Sequence, residues 1–313
     1  MTNRITRYLK FSLLAALPAI AIAPASACAQ RNRELARIDS TFAFDKGSAV
    51  DVNVISGEIV ITGWTRPEAK VYASIDRGWF DSQLNSRRIS IETRSDRGHS
   101  SGARIEIMVP IGSRVQVGAV SGNIRITGTE GEVEAGTVSG HIEVVGASDR
   151  ITVHTVSGKV HAAKLRGRTR LATTSESIEA EDIVGDLSVG TVSGRITLNS
   201  VKSSHVSAET VSGSVTYMGS IDASGSYEFS THSGNVHLQI PDNSGAELAL
   251  ETFSGRISSS FPITLQPGDI SAMARHGKKM EFSIGKGGAR LTASTFSGNI
   301  IIDKSGHSDR EEN

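Results

Sequence analysis

Serine is the residue with the most obvious chemical capacity in this chain, and it recurs in a fixed setting. Thr-Val-Ser-Gly stands at Thr137–Gly140, Thr155–Gly158, Thr191–Gly194 and Thr210–Gly213. Variants stand at Ala119–Gly122, Thr231–Gly234, Thr252–Gly255 and Thr295–Gly298. A serine beside a base can act as a nucleophile. A serine repeated with the same neighbours has no member set apart for that role. The pairs Ser121-Gly122, Ser139-Gly140, Ser157-Gly158, Ser193-Gly194, Ser212-Gly213, Ser233-Gly234, Ser254-Gly255 and Ser297-Gly298 therefore read as a structural corner ladder. In such a ladder each hydroxyl satisfies backbone groups of its turn. Ser175-Glu176 keeps the serine and loses the glycine. A left-handed backbone at Glu176 would be strained by about 1–2 kcal/mol, so a different local corner is expected there.

Two other chemistries are available in outline. Glycan cleavage needs paired carboxylates at workable separation, and Glu132, Glu134, Glu143, Glu179, Glu181 and Asp182 are the candidates. They are scattered among alternating charges, so no catalytic residue is assigned and no enzyme is expected. His141, His154 and His161 show no recognised ligand spacing, so no metal and no cofactor is assigned. If Thr137, Thr155, Thr173, Thr191 and Thr210 face outward with the serines, they form a flat hydroxyl array of the kind that binds ice or ordered sugar.

The elements that must hold these columns follow from the period. The corner serines fall 18 residues apart four times in succession, then 19, 21 and 21, and the last gap is 43. That gap divides if His276-Gly277 is a degenerate corner. Each period holds two short alternating segments, such as His141–Val144 and Ile151–Val153, and alternation by two is a strand signal. Two strands per period at constant phase predict an all-β fold. The expected architecture is a parallel β-solenoid of about ten short coils with an N-terminal β cap, right-handed by analogy with parallel crossovers. At about 4.8 Å per coil, nine steps from Ser121 to Ser297 would span about 43 Å. Alternation from Ile142 and Val144 back through the corner places Gly140 and Val138 on the core face. The same rule assigns Val156, Val192, Val211, Phe253 and Phe296 to the core. Arg125, Glu143, His161 and Glu179 would then stack outward as a charge ladder that fixes register.

The ends and the composition bound the setting. Arg4, Arg7 and Lys10, the apolar run Phe11–Ala23 and the small residues to Gln30 form a secretory signal over 1–29. Cleavage can follow Ala27 or Ala29. Cys28 is the single cysteine, so no internal disulfide exists. It is acylated, as a lipoprotein cysteine would be, removed with the signal, or kept as a bystander thiol. The whole chain has 33 basic and 33 acidic residues, and loss of the three signal cations leaves 30 against 33. That balance gives no basic footprint for nucleic acid. Contact with a membrane is expected only through acylation at Cys28.

Residues 36–118 do not keep the 18-residue phase and read as the cap and first strands, with the coils over 119–303 and a flexible tail over 304–313. Solenoid ends need such covers, because an open strand edge invites aggregation. Trp64 is expected in the cap core and Trp79-Phe80 at an exposed contact point.

With Ile55–Trp64, the Val109–Gly112 entry and the repeated TVSG-x-I-x-V units through Ile302, the chain resembles the bacterial "putative adhesin" family, a β-strand-repeat domain of unknown function. The resemblance implies export, a β-solenoid-like fold and a role at the cell envelope, and it brings no catalytic residues. The expected function is that of a non-enzymatic, adhesin-like scaffold or binding rod for an envelope protein, a glycan or an envelope polymer, periplasmic or on the outer envelope. The alternatives are a polysaccharide-active enzyme on a β-helix and an envelope-stress accessory protein.

Overall fold

The computed structural model describes residues 36–95, 102–262 and 278–305. The signal segment, Cys28, the His276-Gly277 corner and the residues after Ser305 lie outside them. Among the described residues every regular element is a strand.

The repeat builds two parallel ladders. The strand Val133–Ser139 pairs in register with Arg114–Thr127 on one side and Ser148–Ser157 on the other. After the corner, the short strand Ile142–Val145 lies between Arg125-containing Ile124–Thr127 and Val160–Ala163. The following repeats, through Ile178–Glu181, Leu187–Thr191 and Ile196–Ser212, add to the same two ladders. Inward columns fill the space between them. Ile124, Ile142, Val160, Ile178, Ile196, Val215 and Val236 are almost completely buried, as are Val133, Ile151, Leu187 and Val206 opposite. Each such side chain contributes about 1.5–3 kcal/mol by leaving water, and the β-branched types suit a stacked, pleated surface.

The corner changes parity, which corrects the core assignment. Before it, Val133, Ala135 and Thr137 point inward; after it, Ile142 and Val144 do. Thr137 and Ile142 are an odd number of residues apart, so alternation cannot run unbroken through Ser-Gly. Val138, Val156, Val192, Val211, Phe253 and Phe296 are consequently exposed, and the threonines they follow are buried. At Gly158 the backbone of the preceding repeat passes so close that an added Cβ would overlap the Gly140 carbonyl oxygen. The glycine is required there by contact, whatever its dihedral.

The stacking also reaches N-terminal of the regular repeat. Ala49–Trp64 pairs in parallel with Arg114–Thr127, with Ser56 on Ser121 and Gly57 on Gly122. Its outer edge is covered twice. Ala103–Pro110 pairs with the Gly57–Trp64 half and is followed outward by the antiparallel strands Glu68–Ser74 and Arg37–Ala43. Arg88–Arg94 pairs with the other half and is covered by antiparallel Trp79–Leu84. Phe80 is fully buried in this cover, which removes it from the expected contact point. Trp64 is half-buried and donates its indole N–H to the Glu68 carbonyl at 2.7 Å.

At the other end chain order and spatial order part. Ala289–Ser297 lies between Val215–Ser233 and Ala246–Ser254, in parallel with both. Ile300–Lys304 lies between Val236–Ile240 and Ile257–Ser259. Lys278–Ile284 runs antiparallel along the outside of Ala246–Ser254. Ser297 therefore stands directly above Ser233. Following the pairings from Ser121 through Ser233, it is seven steps along, about 34 Å, not nine.

The looser spacing late in the chain is taken up by irregularities. The ladder between Ile196–Ser212 and Val215–Ser233 shifts register at Asn199/Val201 and Ser203/His205. Tyr217, Tyr227 and Phe229 pack below this point, with Tyr217 at 6.1 Å from Tyr227 and 5.1 Å from Phe229. The Tyr227 hydroxyl donates to the Ser203 carbonyl at 2.6 Å and accepts from the Asp222 amide at 2.7 Å.

Candidate binding surface

The corner column is the best defined surface feature, and its hydrogen bonds belong to threonine. Thr137, Thr155, Thr173 and Thr191 each donate Oγ1–H to the carbonyl of residue 122, 140, 158 or 176 of the preceding repeat, at 3.1–3.4 Å. Thr210, Thr231, Thr295 and Thr252 continue the pattern onto Gly194, Gly213, Gly234 and Gly298. With these hydroxyls turned inward, the flat Thr-Ser array expected from the sequence does not form. The serines stack on one another, Ser121 to Ser139 to Ser157 and Ser212 to Ser233 to Ser297 to Ser254, with exposed side chains. Ser193 is exposed likewise, and its amide donates to the Thr174 carbonyl at 2.8 Å.

The corner at Ser175-Glu176 is different from its neighbours. The amides of Thr174 and Ser175 both donate to the Val156 carbonyl, and Glu176 stays out of the left-handed region. Left-handed backbone occurs instead at a second corner that sequence reasoning missed. Gly128 (φ 65°), Gly146 (69°), Lys164 (56°), Asp182 (53°) and Ser200 (54°) recur 18 residues apart after the short strand. Asp182 is thus a turn residue.

The remaining chemical candidates are dispersed. Glu143 binds Arg125 at 2.7 Å, which raises the Arg125 pKa chiefly through that hydrogen bond. Glu132 binds Arg114 at 2.8 Å, and Glu179 lies 3.9 Å from His161. Glu134 and Glu181 are exposed on their strands. His141 accepts the Lys159 amide through Nδ1 at 3.1 Å, and His154 packs over Gly136. Among the described residues no three His, Cys, Asp or Glu side chains converge on a metal-sized site.

What the parity change exposes is a stripe of apolar side chains along one edge. Val120, Val138, Val156, Val192, Val211, His232, Phe296 and Phe253 follow in spatial order, interrupted at Thr174. At the far end the rings stack face to face, His232 on Phe296 at 4.8 Å and Phe296 on Phe253 at 4.7 Å. Beside the stripe runs a groove of about 850 Å3 floored by small residues, among them Ala172, Gly190, Ser230 and Ser294. Glu209 and Glu251 border it. The same edge is concave again near Asn53, Ile55, Gly118 and Val120. Large exposed apolar patches are unusual on soluble monomers and tend to mark interaction sites.

A family model, Toastrack DUF4097, matches residues 48–303. The chain belongs to the Toastrack DUF4097 family. The match runs from the first stacked strand to the inserted C-terminal one. No curated protein matches the chain. Among solved structures, a putative adhesin from Bacteroides fragilis NCTC 9343 is similar at 9% identity and TM-score 0.36, over 85% of this chain and 96% of that one. A putative cell adhesion protein from Clostridium sporogenes ATCC 15579 is similar at 7% identity and TM-score 0.25, over 86% and 100%. A putative lipid binding protein from Parabacteroides distasonis ATCC 8503 is similar at 10% identity and TM-score 0.26, over 85% and 96%. At these scores no residue role passes from them to this Toastrack chain.

Proposed function

We propose that this Toastrack protein is an exported, non-enzymatic envelope protein that binds an extended partner along its exposed corner edge. The observation that carries the reading is the Val/Phe stripe with its parallel groove. It presents one outward side chain per repeat, mostly Val or Phe, at about 4.8 Å intervals, a spacing suited to a partner lying along the stack axis. Export rests on the basic start and apolar run of residues 1–29. The candidate carboxylates are scattered, and Glu132 and Glu143 are held by arginines, which supports binding without turnover.

The test places a photo-crosslinking residue at Val192 or Phe253 on the stripe, and at Glu181 on another exposed column, in the producing cells. The reading expects a discrete adduct from Val192 and Phe253 and none from Glu181. Absence of adducts at all three positions, or equal adducts at all three, would sink it. Protease shaving of intact beside lysed cells then separates surface from periplasm: cleavage only after lysis removes direct surface adhesion.

A further inference from the structure

In parts of the stack outward charges alternate between neighbouring strands, as in Arg114/Glu132 and Arg125/Glu143. The alternation fails at Arg150 and Arg168. Arg150 and Arg168 are direct partners on adjacent parallel strands, with Arg170 next along the second strand, opposite Thr152. Like charges in direct opposition destabilise a ladder. Arg168 has one carboxylate, Asp186 at 3.9 Å, and Asp186 is shared with His205 at 3.4 Å. Arg150 and Arg170 have no carboxylate partner among the described residues. The three guanidinium groups line a groove of about 660 Å3, whose floor carries the hydroxyls of Thr152, Ser188 and Ser207. Glu228 borders its far end, two ladder steps from Ser188.

We propose that Arg150, Arg168 and Arg170 form a binding site for a phosphoryl group. The guanidinium fork matches phosphate oxygens in pairs. A dianion has enough acceptors for three such groups and cancels the repulsion between Arg150 and Arg168. The half-buried hydroxyls of Thr152, Ser188 and Ser207 supply neutral donors beneath. The site is on the sheet face and does not depend on the corner stripe, so either can fail without the other.

The test titrates the folded chain with inorganic pyrophosphate by calorimetry, and separately co-sediments it with phosphatidylcholine vesicles with and without phosphatidylglycerol. Saturable pyrophosphate binding with a rise in Tm is expected. Arg170→Gln should weaken it about ten- to a hundred-fold, the worth of one charge-assisted hydrogen bond. Arg150→Gln should do likewise. Arg125→Gln, which removes a paired surface cation, should leave it within about two-fold. Phe296→Ser on the stripe should leave it unchanged. Vesicle binding that requires phosphatidylglycerol and Arg170 assigns the phosphate to a lipid headgroup; pyrophosphate binding without vesicle binding assigns it to a soluble or polymer-borne source. No saturable binding of either probe, or equal losses in Arg170→Gln and Arg125→Gln, would overturn the proposal.

Discussion

The inversion of order at the C-terminal end can be tested with paired cysteines. Ser230 and Ser294 are register partners on adjacent strands, and Ser294 is in turn the partner of Glu251. All three point outward, one residue before a buried threonine. One step of the ladder is about 4.8 Å, inside the Cα separation of about 4.4–6.8 Å that a disulfide accepts. Two steps are about 9.6 Å by the same spacing, beyond its reach. In a Cys28→Ser background, Ser230→Cys with Ser294→Cys should therefore oxidise to an intramolecular disulfide, and Ser230→Cys with Glu251→Cys should not. The first bridge closes a loop of roughly 65 residues, worth up to about 4 kcal/mol of denatured-state entropy. Its oxidised form should unfold at higher temperature than its reduced form. Peptide mapping of the oxidised proteins reads the pairing. Efficient closure of the Ser230/Glu251 pair would mean that the strands stack in chain order, and would refute the insertion.

Other outcomes follow from single sites. Gly158→Ala should destabilise by about 1–3 kcal/mol, because the new Cβ meets a backbone oxygen that cannot step aside. Lys164→Gly, at a left-handed position with exposed surroundings, should be neutral or stabilising by up to about 1 kcal/mol; chemical denaturation measures both. Burial raises the Tyr217 and Tyr227 pKa values above the ordinary 10. Their contribution is therefore full below pH 10 and is lost as pH rises above it. Tyr217→Phe should flatten the alkaline fall of Tm. The Asp303 pKa is lowered from 3.8, first by the Ser260 hydroxyl and then by His237 at 2.8 Å. Its contribution is present above pH 3.8 and is lost as pH falls below it, so Asp303→Asn should be less sensitive to acid than the parent.

Much of the ladder was legible because Ser-Gly and Ile-x-Val recur at constant phase, and each repeat must match the one before it. The facing of Val138 and Thr137 was not. Period-two reasoning holds within a strand, and the Ser-Gly corner inserts one extra residue into the alternation. The second corner at Gly128, Gly146, Lys164, Asp182 and Ser200 was hidden because only two of its five residues are glycine. The order of the last strands could not be read for a different reason. The corners Thr252–Gly255 and Thr295–Gly298 are both Thr-Phe-Ser-Gly, so either can stack on Thr231–Gly234, and local pattern does not choose. The ring stack of His232, Phe296 and Phe253 depends on that choice. The arginine groove depends on register alone, but spacing rules that look for repeats pass over a place where a charge fails to alternate.

The binding edge stands or falls with the facing of the corner residues. The most direct measurement compares thiol labelling of Val192→Cys and Thr191→Cys, each in the Cys28→Ser background and under native conditions. Val192 is 47% exposed and Thr191 is 7% exposed. The account predicts rapid maleimide labelling at position 192 and labelling at 191 only after unfolding. Rapid labelling at 191 with protection at 192 would turn the valines inward, remove the stripe and contradict the account.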